Sequence, residues 1–201
     1  MFINDLFTNP VFFFRYIVII ILSICIHELA HGVAALSQGD DTPNKSGHMT
    51  MNPVVHMGWE SMLFLVMTGM CWGKMPVNPA KFRSPKFGSI LVAAAGPLSN
   101  LALAVLFIVL IKLSFLPFLS GFLSFQFLLM AAQINLILCM LNLIPIPPLD
   151  GFHVLSEIFP ALKPMENSPF ALLALMIVFL GGLTSVLGSI AVFLIATGSG
   201  L

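Results

Sequence analysis

Two histidines and a glutamate form one short pattern, His27-Glu28-x-x-His31, inside an apolar run of the sequence. Because four residues are a little over one helical turn, both imidazoles project from the same helix face and can bind one metal ion. Glu28 follows His27 directly and can take a proton from a water on that ion, whose pKa falls to about 7 on zinc. The pattern therefore indicates a zinc site with Glu28 as the general base of a hydrolysis.

The apolar surroundings strengthen this interpretation. Three ionisable side chains in the middle of a membrane span are costly unless they pair, line a cavity or hold a metal, so a functional role is the first hypothesis. Two alternatives remain for the same residues. They could be a polar patch that binds a neighbouring helix, or a proton relay in a transporter.

A tetrahedral catalytic zinc site needs a third protein ligand and leaves its fourth position to water. Asp150 is the favoured candidate because it ends NLIPIPPLDG, a segment whose prolines exclude a regular helix. A broken helix at membrane depth is tolerated only where it lines protein or a cavity, which suits the presentation of a carboxylate. The alternative role for Asp150 is the N-cap of a short helix. Other candidate ligands are His153, Glu157, Glu60, His48 and His56.

The elements that must position these residues are membrane helices. The composition is 59% hydrophobic and 8% charged, with a mean hydropathy of +1.05, far from the roughly one-quarter charged residues of a soluble domain. A membrane span needs about 20 apolar residues. Four runs meet that length, at residues 11–36, 87–113, 121–143 and 170–197, and a shorter run at 62–72 predicts a re-entrant or interfacial segment.

The sequence predicts an all-α membrane protein with about four transmembrane helices and a helix broken at the proline-rich LDG segment. Short β-prone patches at residues 47–57, interrupted by Pro53, predict a small membrane-edge β segment after the first helix. We expect one intramembrane domain over residues 1–201, because the chain has no linker, repeat or long polar tract. No C-x-x-C pair is present, so we expect neither a disulfide framework nor a thiolate zinc site from Cys25, Cys71 and Cys139.

The positive residues predict an orientation in the membrane. If the four runs span, the loops at residues 38–86 and 144–169 lie on one side, and positive residues favour the cytoplasm in short loops. Both chain ends should then face outward, with His31 and Asp150 in the cytoplasmic half of the bilayer. That side carries Lys45, Lys74, Lys81, Arg83, Lys86 and Lys163, whereas the other side carries Arg15 and Lys112.

Five motifs in order resemble the site-2 protease family of intramembrane metalloproteases. They are HELAH in the first span, MNPVVH and WGKMPVNP after it, AGPLSN opening a span and NLIPIPPLDG closing the next, from about residue 24 to 151. The resemblance implies zinc bound by His27, His31 and Asp150, with Glu28 as catalytic base. It also implies that Asn142 steadies the oxyanion or the substrate.

Other residues in these motifs have simpler interpretations. The residue type alone allows Asn142 to bond backbone groups that the nearby prolines leave free. We expect His48 and His56 to be interfacial rather than supports of the metal site. The last apolar run, residues 170–197, carries glycines and no ionisable residue, so we assign it to packing or gating. We also expect no PDZ or CBS domain, because the chain has no room for either beyond the membrane core. Close helix approach is the first role for Ala95, Gly96 and Ser99 of AGPLSN.

The expected function is that of a zinc metalloendopeptidase with one Zn²⁺ per chain, which cuts within or near the transmembrane segment of a single-pass membrane protein. We expect it in a prokaryotic plasma membrane, with the active site toward the cytoplasm. The substrate would enter sideways from the lipid bilayer and pair with an edge strand near residues 49–55. A regulatory membrane partner or a homo-oligomer is left open, and no long basic run indicates a nucleic-acid partner.

Three alternatives differ in class. The main one is a proton- or metal-ion-transporting membrane protein that uses the same His/Glu/Asp cluster. A catalytically silent membrane chaperone or adaptor is disfavoured because the H-E-x-x-H pattern is intact. A soluble zinc peptidase is excluded by the long apolar runs.

Overall fold

The computed structural model describes residues 2–114, 124–166 and 168–200. These residues form nine α-helices and three short 3₁₀ helices, the latter at Phe2–Asn4, Pro79–Lys81 and Pro160–Met165. The α-helices are α1 (Asp5–Thr8), α2 (Pro10–Ser37), α3 (Thr42–Lys45), α4 (Pro53–Thr68), α5 (Pro85–Ser114), α6 (Phe125–Asn142), α7 (Asp150–Ile158), α8 (Pro169–Leu180) and α9 (Leu183–Ser199).

Three of these helices, α2, α5 and α6, are long and apolar enough to cross a membrane. They correspond to the first three predicted spans, which are confirmed as helices; residues 121–123 of the third prediction lie outside the described residues. Helix α5 is central, because it contacts α2, α6, α7 and α9. Fully buried alanines at 104, 131, 132 and 191 let these helices approach closely.

The fourth predicted span, residues 170–197, is two helices rather than one. Helix α8 ends at Leu180 and α9 begins at Leu183, and between them Gly182 adopts a left-handed backbone with φ of 90°. Glycine enters this region without steric cost, so the pair Gly181–Gly182 ends one helix before the next begins. Neither helix reaches about 20 residues, and four spans are therefore not confirmed among the described residues.

The predicted β segment at residues 47–57 is wrong. This region is a turn followed by the start of α4, and no strand occurs in the described parts of the chain. Pro53 occupies the first turn of α4, where its missing N–H costs nothing, and the Asn52 side chain caps the helix by accepting a hydrogen bond from the Val54 N–H. These two residues start a helix where the alternation of residues had suggested a strand.

Helix α4 accounts for most of the apolar stretch at residues 62–72. It has 16 residues and a non-helical break at Gly58, so it is too short to cross a membrane. After its C-terminal Gly69 the chain runs without helix or strand to Asn78. We call residues 71–78 the extended segment. Several of its residues line the cavity that contains His27, Glu28 and His31.

Candidate metal centre

His27 and His31 are buried one turn apart on α2, and both rings hydrogen-bond to α5. His27 Nδ1 lies 2.6 Å from Oδ1 of Asn100, and His31 Nδ1 lies 2.6 Å from the carbonyl oxygen of Val92. Because these oxygens only accept, each neutral ring carries its hydrogen on Nδ1 and donates it. Both Nε2 atoms are therefore left with a free lone pair, as a metal ligand requires.

The residues of α2 and α5 that face each other at this point have the same four-residue spacing. Val92, Gly96 and Asn100 are spaced by four residues on α5, and they face the four-residue spacing of the histidines on α2. Gly96 lies between the rings, and a Cβ at this position would fall within 3.0 Å of both Nε2 atoms, closer than real Cβ atoms approach. The glycine therefore leaves open the space toward which both lone pairs point.

Asp150 supplies a third oxygen at the same place. Its Oδ2 lies 3.1 Å from Nε2 of His27 and 3.4 Å from Nε2 of His31, and the two Nε2 atoms are 3.0 Å apart. At zinc-ligand distances of about 2.0–2.1 Å, tetrahedral ligand atoms are about 3.4 Å apart. Oδ2 is also buried without a hydrogen bond to the described residues. Three acceptor atoms so close together fit a bound cation. His27, His31 and Asp150 therefore form a group that could hold a metal ion.

The proline-rich segment presents Asp150 to the histidines. Residues 143–149 are not helical, and the Pro147–Pro148 peptide bond is cis. Gly151 packs directly on the carbonyl group of Leu143, where a Cβ would not fit. Asp150 is the first residue of α7, and its side chain makes no capping hydrogen bond. The predicted helix break is confirmed, whereas the alternative N-cap role for Asp150 is not.

Glu28 lies beside the three candidate ligands in the same cavity, whose volume is about 840 Å³. Its side chain is buried and packs on Gly73 of the extended segment, where a Cβ would overlap the carboxyl group. The carboxylate forms neither a hydrogen bond nor an ion pair with the part of the chain that the structure describes. It is therefore free to interact with a water or a substrate in the cavity.

Hydrogen bonds on one side hold the extended segment in place. The N–H groups of Trp72 and Lys74 donate to Ser61 Oγ and to the carbonyl of His56, both on α4. The alternate N–H groups, at Gly73, Met75 and Val77, have no partner among the described residues. The paired and unpaired N–H groups alternate along the segment, as they do in an extended chain that has one paired edge and one unpaired edge.

The other candidate ligands interact with residues outside the group of His27, His31 and Asp150. His153 pairs with Glu166 at 3.3 Å, and Glu157 pairs with Lys163 at 2.8 Å, both in the wall of the cavity. None of them belongs to the group that could hold a metal. His48, His56 and Glu60 do not belong to that group either. His48 hydrogen-bonds to Ser46, His56 hydrogen-bonds to the carbonyl of Thr50, and Glu60 is exposed.

Asn142 is the last residue of α6 and lines the cavity. Its Nδ2 donates to the carbonyl of Leu138 in its own helix at 3.0 Å, rather than to backbone groups of the proline-rich segment. Its second N–H and its oxygen have no hydrogen-bond partner among the described residues. The side chain is thus placed where it could meet a substrate.

Sequence reasoning missed two residues of this site, Asn100 and Asn135. Both are fully buried in membrane helices, and Asn100 contacts a candidate ligand directly. The signal was available, because a polar amide in the middle of an apolar span is costly unless it is paired, as is true of the histidines. Gly96 was interpreted as a packing residue, yet its greater effect is the space it leaves beside the two rings.

The chain matches peptidase family M50 over residues 15–124 and 119–185. It is 37% identical over 158 residues to YwhC of Bacillus subtilis, which covers 75% of this chain and 72% of YwhC. It is 31% identical over 175 residues to Rip2 of Mycobacterium tuberculosis, which covers 80% of this chain and 64% of Rip2, less than two thirds of that relative. Both relatives carry the name "Putative zinc metalloprotease". No solved structure gives a significant match.

Proposed function

This chain belongs to peptidase family M50, and on that premise we propose that it is an intramembrane zinc metalloendopeptidase. It would hydrolyse a peptide bond within or near the transmembrane segment of a membrane protein. Its three candidate spans and its family make it an integral membrane protein. The observation that carries the proposal is the convergence of His27, His31 and Asp150, whose ligand atoms all lie within 4.8 Å of one another.

Zinc suits this set of donor atoms. Two imidazole nitrogens and one carboxylate oxygen form a ligand set typical of catalytic zinc, which keeps a further position open. When bound, zinc would lower the pKa of a coordinated water to about 7 and polarise the scissile carbonyl. The hydrogen bonds from His27 to Asn100 and from His31 to Val92 would orient the rings and make them stronger ligands.

Glu28 would act as general base and then as general acid. One of its carboxylate oxygens accepts a proton from the attacking water, whose oxygen bonds to the scissile carbonyl carbon. The same oxygen then gives that proton to the amide nitrogen as the C–N bond breaks. The buried position of Glu28 against Gly73, with no competing partner in the described residues, supports this role.

Asn142 would stabilise the negative charge that develops on the carbonyl oxygen. Its amide lines the same cavity and has an N–H that its helix does not use. A single donor of this kind contributes about 10²–10³-fold to kcat in other hydrolases. Asn142→Ala should therefore lower kcat without changing the zinc content, and an unchanged kcat would contradict the role.

The substrate would bind in an extended conformation beside the extended segment. A peptide inside a helix is protected by its own hydrogen bonds, so it must unwind before it can be cut. The unpaired N–H groups of Gly73, Met75 and Val77 offer new partners to such an unwound chain, as in β-strand addition. This replaces the expected strand near residues 49–55, where α4 begins instead.

The positive residues support an active site toward the cytoplasm. With α2, α5 and α6 as spans, residues 38–84 and 143–168 still lie on one side, which carries most of the Lys and Arg residues. His31 lies six residues, about 9 Å, before the end of α2 on that side. Water would therefore have a short path to the metal.

The Glu28→Gln variant tests the proposed base. We expect it to bind stoichiometric zinc, measured by mass spectrometry of the purified protein, but to cut none of a panel of tagged single-pass membrane proteins that the wild type cuts. Glu60→Gln is the matched control, because Glu60 is exposed and outside the cavity. Cleavage by Glu28→Gln at the wild-type rate would reject Glu28 as the base.

Transport of protons or metal ions by the same cluster is the competing function. It requires uptake or efflux in vesicles that contain the purified protein, and it requires no cleavage of any substrate. Ion flux that Glu28→Gln abolishes, with no proteolysis by the wild type, would favour transport over the proposed function.

A further inference from the structure

A chain of buried amides connects α6 to the metal centre. Asn100 Nδ2 on α5 donates to Oδ1 of Asn135 on α6 at 3.0 Å, and Asn135 Nδ2 donates to the carbonyl of Ala131, one turn earlier in α6, at 2.9 Å. At the other end, Asn100 Oδ1 lies 2.6 Å from His27 Nδ1. The chain thus crosses three helices and ends on a candidate zinc ligand.

We propose that Asn135 is a positioning residue of the metal centre, which acts through Asn100 to keep Nε2 of His27 available to the metal. The inference rests on the proposed function, because it assumes that His27 binds zinc. Asn135 itself does not line the cavity and does not contact the three candidate ligands.

The direction of every hydrogen bond in this chain is fixed by its far end. The carbonyl of Ala131 can only accept, so the amide of Asn135 must turn its NH₂ group toward it and its oxygen toward Asn100. Asn100 must then donate to Asn135 and turn its own oxygen toward His27. His27 must donate from Nδ1, which leaves Nε2 unprotonated.

Without Asn135, this order is lost. The amide of Asn100 would then keep only the long hydrogen bond from its Nδ2 to the Ser23 carbonyl, at 3.5 Å, so it could rotate and present NH₂ to His27. Facing a donor, the neutral ring would carry its hydrogen on Nε2, where it would block the metal. Both asparagines have no exposed surface, and Asn135 does not line the cavity, so a water has no open path to the position of the missing partner.

Metal affinity tests the inference without any assay of cleavage. We compare wild type, Asn135→Leu, Asn135→Ser and Asn135→Asp in detergent, with Zn²⁺ and a competing chelator. The Leu and Ser variants should bind zinc about 10- to 100-fold more weakly, as loss of supporting hydrogen bonds does elsewhere. Ser serves as a second variant, because its hydroxyl can bond to the Ala131 carbonyl but cannot reach Asn100. Asp keeps an oxygen toward Asn100, and in its neutral form its O–H can donate to the Ala131 carbonyl, so it should restore most of the affinity.

Gln133→Leu is the matched control. Gln133 is a half-buried amide on the same helix, and it makes no hydrogen bond with the described residues, so its loss should leave zinc affinity unchanged. The absorption spectrum of the Co²⁺-substituted protein gives a second readout, because it reports the ligand set. It should change in Asn135→Leu and Asn135→Ser and stay the same in Gln133→Leu.

Two failures are distinguishable. Zinc affinities and cobalt spectra of Asn135→Leu and Asn135→Ser equal to those of Gln133→Leu would overturn the inference while leaving the proposed function intact. A wild type that binds no zinc would instead overturn the proposed function on which the inference rests.

Discussion

Gly96 shows how one residue can determine whether this site holds a metal. Its hydrogen faces the space between the two histidine rings, and any larger side chain would push the Nε2 atoms apart. Zinc tolerates displacements of only a few tenths of an ångström from its preferred ligand distances. The smallest available change, addition of one methyl group, should therefore be enough to weaken binding.

Gly96→Ala should lower zinc affinity by about 100-fold, the upper end of the range known for changes around metal ligands. Gly188→Ala on α9 is a suitable control, because a Cβ there meets only Gln133 at 3.9 Å. Chelator competition in detergent measures both variants. Wild-type affinity in Gly96→Ala would show that the metal does not occupy the space between the rings.

At this scale the sequence indicates the candidate ligands, which the structure brings together, but not the residues that support them. The spacing of His27 and His31 follows from the helical repeat, and the proline-rich segment before Asp150 indicates a break at membrane depth. The partners on α5 could not be predicted, because the pairing of residue 27 with Asn100 depends on the register of two helices. No local pattern contains that register.

Among the elements, the extended segment is tethered at its C-terminal end to the end of α2, in addition to its hydrogen bonds with α4. At its C-terminal end, the Asn78 N–H donates to Asp40 Oδ2 at 2.6 Å, and the other oxygen of Asp40 accepts from the Thr42 N–H at 3.0 Å. Asp40 is fully buried just after the end of α2, and Lys81 lies 3.8 Å from it. This carboxylate therefore joins the helix that carries the histidines to the segment that covers Glu28.

Asp40→Asn should loosen the extended segment without removing the metal. The amide NH₂ would face either the Asn78 N–H or the Thr42 N–H, which both donate to Asp40, and one buried donor would be left without a partner, at a cost of about 1–3 kcal/mol. Hydrogen exchange should increase in residues 71–78, and KM for a cleaved substrate should rise while zinc affinity stays the same. Asp41→Asn is the control, because Asp41 is partly exposed and makes only surface ion pairs. Equal exchange in both variants would contradict the tether.

The same tether should depend on pH. Burial raises the pKa of Asp40, but the hydrogen bonds from Thr42 and Asn78 and the charge of Lys81 outweigh it and hold the pKa below its usual 3.8. Because the folded-state pKa is the lower one, the contribution to stability is complete above pH 3.8 and is lost as the pH falls further. The protection of residues 71–78 against hydrogen exchange, measured relative to the intrinsic exchange rate at each pH, should therefore fall in the wild type on acidification below that value.

Element prediction failed where short-range signals were ambiguous. A β-prone run with a proline can be a strand end or a helix start, and the cap provided by Asn52 decided for the helix. The last apolar run satisfied the length of a span, but Gly182 in a left-handed conformation divides it. Both outcomes depend on backbone conformation at one or two residues, to which averages of hydropathy are insensitive.

For the whole molecule, the metal centre is the point at which distant parts of the chain meet. Its candidate ligands come from α2 and from the start of α7, and α5 contacts both helices. The candidate ligands could be predicted from two motifs, but the convergence of these motifs requires the complete packing of α2, α5 and α6. Formation of the site and formation of the fold should therefore be coupled.

Removal of the metal should accordingly destabilise the entire helical assembly. A ligand present at 100 times its dissociation constant adds about 2.7 kcal/mol to the free energy of unfolding. For a chain of this size that corresponds to a fall in Tm of roughly 5–10 °C when the metal is removed. Thermal melting in detergent with and without a chelator measures this difference, and added zinc should reverse it. Asp150→Ala should melt at the lower temperature and respond to neither treatment, because it lacks the ligand that joins α7 to α2. A chelated protein that has lost its zinc but keeps its Tm would show that the metal is bound without holding these helices together.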